Sequence, residues 1–117
     1  MSAQPEVVDG NDAVGVRLRG ELTMETAPAL TNVLGALARE RRTPSMVIDL
    51  REVSYLDSTC LSALLEARRV QARQGGTLAL LVVSGGHISD LFRISGTREL
   101  LGVRDDVDGP LESVVGG

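Results

Sequence analysis

The order in which strand-like and helix-like segments follow one another constrains this chain of 117 residues more than any other feature. From Ala13 to Gly20, Val14, Val16 and Leu18 alternate with Arg17 and Arg19, the pattern of a half-buried strand. Val7 and Val8, just ahead of the turn signal Asp9-Gly10-Asn11-Asp12, predict a short strand before it. Ala27, Leu30, Val33, Leu34 and Leu37 then recur at helical spacing, with Thr23 or Thr26 available as the cap and Pro28 tolerated in the first turn. Arg39, Glu40, Arg41 and Arg42 end that run with cations that suit a helix C-terminus, and Pro44 closes it.

Met46-Val47-Ile48-Asp49-Leu50 reads as an interior strand of the parallel kind. Arg51 to Leu56 leads into Asp57-Ser58, directly before a second helical pattern. Its apolar stripe is Leu61, Leu64, Leu65 and Ala72, and Gly75-Gly76 stop it. Thr77 to Val83 is the most hydrophobic segment and predicts a central strand. Ser84-Gly85-Gly86 predicts a turn, and Ile88, Leu91 and Phe92 a short helix ended by Gly96. Val103 falls in a final edge strand and Pro110 to Val115 in a terminal helix. Two leading strands followed by alternating helices and strands imply an α/β fold, a small mixed sheet with parallel central strands flanked by helices. No repeat or linker divides the chain, so a single domain over 1–117, with its core at about 6–115, is expected.

Composition removes several classes of function. All twelve basic residues are arginine, so there is no lysine for a Schiff base or a phosphate-binding P-loop. One cysteine, Cys60, and one histidine, His87, cannot build a disulfide framework or a Cys/His zinc site. The only aromatic residues are Tyr55 and Phe92, too few for a base-stacking platform, and a net charge of −4 opposes phosphate-backbone binding by the whole surface. No nucleic-acid partner is expected. Met1 to Glu6 lacks the basic head and apolar run of a signal peptide, and the longest apolar run, Leu78 to Val83, is too short to span a membrane. A cytoplasmic protein with no membrane association follows as the expectation.

Candidate chemistry is sparse. Ser84 lies three residues from His87, but without a nucleophile elbow this pair reads as an exposed or capping group. Asp49 at a strand end could suggest a phosphoaspartate acceptor, yet the acidic pair and lysine of that chemistry are missing. Asp105, Asp106 and Asp108 read as a solvated loop. The richest stretch is Tyr55-Leu56-Asp57-Ser58-Thr59-Cys60-Leu61, where two hydroxyls and a carboxylate meet a helix start. Asp57 or Ser58 can cap that helix, and the same N-terminus favours a phosphate, which makes a hydroxyl there a natural modification switch. For Cys60, a helix N-terminus lowers a thiol pKa while the Asp57 charge raises it, so reactive thiol and buried filler both remain open. In the first case, oxidation or alkylation would block the surface.

Several motifs, in order, carry a resemblance. They are Leu18-Arg19-Gly20-Glu21-Leu22, Met46-Val47-Ile48-Asp49-Leu50, Leu56-Asp57-Ser58-Thr59-Cys60-Leu61, Gly75-Gly76, and Leu91-Phe92-Arg93-Ile94-Ser95-Gly96. Together, over about residues 10 to 105, they resemble the stand-alone STAS domains of the anti-sigma factor antagonist (anti-anti-sigma factor) family of bacteria. The resemblance implies a non-enzymatic, cofactor-free regulator of transcription that binds an anti-sigma factor, often a serine kinase, and so frees a sigma factor. It implies phosphorylation at Ser58 and removal of the phosphate by a serine phosphatase. It places Asp57, Ser58, Thr59, Cys60, Leu61 and Thr23 at the partner surface, and no metal. Two positions depart from the family pattern: Cys60 stands where a glycine is usual, and Thr23 where an aspartate follows G-E-L. The first bears on how closely a kinase approaches the acceptor, the second on which partner is recognised. The alternatives are a STAS-type scaffold or adaptor for another signalling partner and a small nucleotide-binding domain.

Overall fold

Val14, Val16 and Leu18 do point to one side of a strand, and that strand organises the sheet. The computed structural model of the chain describes residues 5–41 and 45–116. Its elements are β1 (Glu6–Asp9), β2 (Val14–Leu22), α1 (Ala27–Arg41), β3 (Ser45–Leu56), α2 (Ser58–Arg73), β4 (Thr77–Leu81), α3 (His87–Ser95), β5 (Val103–Arg104) and α4 (Leu111–Val114). The sheet order is β1-β2-β3-β4-β5; β1 runs antiparallel to β2, and every other pair is parallel. Arg42 and Pro44, expected to end α1, lie outside the described residues, as do the first four.

Strands added one after another by right-handed crossovers place their connecting helices on a single face. Accordingly Leu34 of α1, Leu64 of α2 and Phe92 of α3 share one core with Val16, Leu18, Ile48, Leu50 and Leu80 of the sheet. The other face is covered by the C-terminal segment, where Leu111 and Val115 pack on Ala13, Val47 and Leu81. Asp49 is buried on this side and gripped by Arg51, whose Nε and Nη2 donate to its two carboxylate oxygens at 2.9 Å each. Arg51 Nη1 also donates to the carbonyls of Val107 and Gly109, so one guanidinium ties the C-terminal segment to β3.

Two expectations are corrected here. The apolar run Met46–Leu50 covers less than half of β3, which continues to Leu56 and is the central strand. β4, expected at the centre, lies between β3 and the two-residue edge strand β5. The continuation of β3 escapes a period-two reading because of two irregularities. Arg17 and Arg19 pair with Asp49 and Glu52, and Gly20 and Glu21 with Val53 and Tyr55, so β3 carries an extra residue at each step. Burial consequently falls on Leu50, Val53 and Leu56, at intervals of three. Gly20, at φ +80°, supplies the left-handed conformation beside the second bulge. Gly96, at φ +74°, ends α3 as expected, and its N–H caps the carbonyl of Arg93.

Candidate functional site

The parallel strands β2, β3 and β4 bring the turns that follow them to one end of the sheet, the end where α/β folds usually place their sites. The Thr23–Thr26 turn and the start of α2 are joined there by hydrogen bonds. The Asp57 N–H donates to the Leu22 carbonyl at 3.0 Å. Both threonines that could cap α1 take part in its start. Thr23 N–H donates to Thr26 Oγ1 at 2.9 Å, and Thr26 Oγ1 in turn donates to the Thr23 carbonyl at 3.0 Å. The same carbonyl receives the N–H groups of Thr26 and Ala27, and Thr23 Oγ1 accepts from Glu25 N–H at 3.3 Å.

Asp57 is the cap of α2: its Oδ1 accepts the Cys60 N–H at 3.1 Å. The same oxygen receives the Thr59 hydroxyl at 2.5 Å. That hydroxyl is the largest influence and holds the carboxyl below the usual carboxylate range; desolvation opposes it, and backbone N–H groups, that of Cys60 first, add to the lowering. Ser58 is the first residue of α2 and is exposed. Among the described residues its hydroxyl has no hydrogen-bond partner, whereas the neighbouring Thr59 hydroxyl is committed to Asp57. Of the two hydroxyls, only that of Thr59 is engaged in a hydrogen bond among the described residues.

Cys60 faces the other way. Its side chain is 0% exposed, and Sγ donates to the Thr23 carbonyl at 3.3 Å, with Thr26 Oγ1 at 3.9 Å. Burial pushes the thiol pKa up; the Thr26 hydroxyl pulls the other way and the Asp57 charge adds to the rise. The thiol, which the resemblance implied at a partner surface, is therefore buried against the Thr23 turn. The buried stripe of α2 runs through Cys60, Ala63, Leu64, Ala67 and Gln71, with Leu61 and Leu65 half-buried beside it, whereas Ala72 is exposed. Small residues had concealed that phase. Leu61 thus contributes to packing at this helix start.

The remaining candidates are scattered. His87 is exposed at the first position of α3. Asp105 and Asp106 are paired with Arg98 at 3.0 Å and Arg104 at 3.1 Å, and Asp49 with Arg51 as described. No helix among the described residues is long and apolar enough to cross a membrane. Sequence reasoning passed over Met24, whose exposed side chain leaves the turn that Asp57 and Cys60 hold. A lone methionine beside a capping threonine carries no periodic signal.

Comparison with known proteins bears on the family and the fold. Residues 7–102 match the family described as Mlab, STAS domain. The anti-sigma-B factor antagonist of Bacillus subtilis (strain 168) is 29% identical over 112 residues, covering 96% of this chain and all of that one. The protein of the same name from Staphylococcus epidermidis is 31% identical over 108 residues, covering 92% and 98%. Among solved structures, an anti-sigma factor antagonist from Mycobacterium paratuberculosis superposes with a TM-score of 0.80 at 25% identity, covering 97% and 94%. The phosphorylated form of the Bacillus cell fate determinant SpoIIAA shares the fold, with a TM-score of 0.70 at 18% identity over 97% and 96% of the two chains. The chain belongs to the STAS domain family. Within it, the relatives it resembles are anti-sigma factor antagonists.

Proposed function

We propose that this protein is a non-enzymatic, cytoplasmic anti-sigma factor antagonist, acting as one STAS domain, whose partner is an anti-sigma factor of the serine-kinase type. Phosphorylation of Ser58 releases that partner, and a serine phosphatase restores binding. The surface comprises Ser58, Thr59 and Asp57 at the start of α2, with the Thr23 turn beside them. No cofactor takes part.

The observation that carries this reading is the division of labour between two adjacent hydroxyls. Thr59 is held by Asp57, while Ser58 is exposed with its hydroxyl unpartnered among the described residues. A kinase needs an acceptor oxygen that it can reach without dismantling a cap, and Ser58 meets that requirement. The relatives named above carry the functional class. Phosphopeptide mapping of the protein isolated from its own host tests the reading. Phosphate on Ser58 is the expected result; a stoichiometric phosphate on Thr59, or none under any growth condition, contradicts the switch.

A further inference from the structure

Met24 combines large apolar exposure with a fixed backbone. Its residue is 67% exposed in the turn between β2 and α1. The Asp57 N–H donates to the carbonyl of Leu22 at 3.0 Å, and the carbonyl of Thr23, one residue before Met24, accepts the buried Cys60 thiol at 3.3 Å. The two residues that tether this turn therefore flank Ser58 in sequence and belong to the start of α2. Tyr55, two residues before Asp57, and Val83, just past β4, are also exposed and lie towards the same end of the sheet.

An exposed side chain costs solvation whenever nothing covers it, and a backbone held in place lowers the ordering cost of covering it. Methionine suits such a position because its thioether adapts to an irregular recess. Among the described residues, the most exposed large apolar side chain, Ile94 at 77%, lies in the last turn of α3, remote from the strand ends where α3 begins. We propose that Met24 is the apolar anchor of the partner surface: the anti-sigma factor carries an apolar recess that receives this side chain while its neighbouring groups face Ser58. The inference rests on the functional reading above and adds the residue that supplies affinity.

The test is a titration of wild type, Met24→Ala, Met24→Leu, Ile94→Ala and Ser58→Asp against a panel of the purified serine-kinase-type anti-sigma factors of the source organism. Met24→Ala is expected to bind at least about tenfold more weakly than wild type, as truncation of a central anchor does. Met24→Leu should recover most of that loss, and Ile94→Ala should match wild type. Because both truncated side chains are exposed, equal melting temperatures exclude a folding defect. If Ser58→Asp abolishes binding but Met24→Ala binds like wild type, the anchor is wrong and the switch stands. If Met24→Ala is weak but Ser58→Asp binds normally, the switch is wrong and the anchor stands. Absence of wild-type binding to every member of the panel overturns both.

Discussion

The Cys60 thiol lies 3.3 Å from the carbonyl oxygen of Thr23, 37 positions earlier in the chain, and donates its proton to it. This contact and the 3.0 Å bond from Asp57 N–H to the Leu22 carbonyl stitch the start of α2 to the turn before α1. Cys60 thus fills space and supplies a bond between the two segments of the proposed surface.

A buried thiol with a raised pKa is a poor nucleophile. Native protein should react with a disulfide reagent only as fast as it opens, and far more slowly than denaturant-unfolded protein. Prompt stoichiometric labelling at neutral pH would contradict the burial. Cys60→Ala should cost about 1–2 kcal/mol, combining a lost weak hydrogen bond with a small cavity. Cys60→Ser, which keeps a donor, should recover part of this in a denaturant titration.

Asp57 caps α2 as a carboxylate whose pKa is held low by the Thr59 hydroxyl and nearby N–H groups. A group with a depressed folded pKa stabilises fully above its unfolded value, near 3.9, and loses that contribution as pH falls through the lower folded value. Asp57→Asn should therefore remove the part of the stability that varies with pH in this acidic window, while still offering a capping oxygen. Asp57→Ala should lower the melting temperature at neutral pH as well. Identical stability–pH profiles for wild type and Asp57→Asn below pH 4 would refute the assignment.

Arg51 neutralises Asp49, which is 5% exposed, and holds the carbonyls of Val107 and Gly109. Burial raises the Asp49 pKa, but the Arg51 hydrogen bonds and charge outweigh it and leave the carboxyl below its usual range. Arg51→Met leaves a carboxylate buried without its partner and should cost about 3 kcal/mol. Limited proteolysis should then cut the C-terminal segment around 105–110 before the sheet. Simultaneous loss of all regions, with no early C-terminal cleavage, would show that Arg51 does not act as a local tie.

How much of this could be read from sequence depended on whether period or geometry carried the information. Val14, Val16 and Leu18 announced β2, and Leu30, Leu34 and Leu37 announced α1, because each pattern keeps one phase. The second half of β3 stayed hidden because two bulges stretch its burial to Leu50, Val53 and Leu56. Thr77 to Val83 suggested a central strand by hydrophobicity alone, which measures burial but not sheet order. At the site, the capping roles of Asp57 and of the Thr23 turn were legible from residue type at a helix start. The direction of Cys60, the commitment of Thr59 to Asp57 and the display of Met24 depend on contacts between β2–α1 and β3–α2, which no local spacing encodes.

The central claim is that phosphate on Ser58 acts at the interface and leaves the fold intact. Phosphorylation adds roughly −1.5 to −2 charges at pH 7. The α2 N-terminus favours them while Asp57 repels them, so the effect on stability should be small. A partner surface shaped for a neutral hydroxyl must instead desolvate the charge, at about 2–5 kcal/mol, or roughly 30- to several-thousand-fold in affinity. The most direct measurement compares unphosphorylated and Ser58-phosphorylated protein for melting temperature and for affinity to the purified anti-sigma factor. Ser58→Ala serves as the unmodifiable control. Melting temperatures within a few degrees, with affinity lower by at least about 30-fold for the phosphorylated form only, are the predicted result. Equal affinities, or a loss of binding that tracks a loss of folded protein, would contradict it.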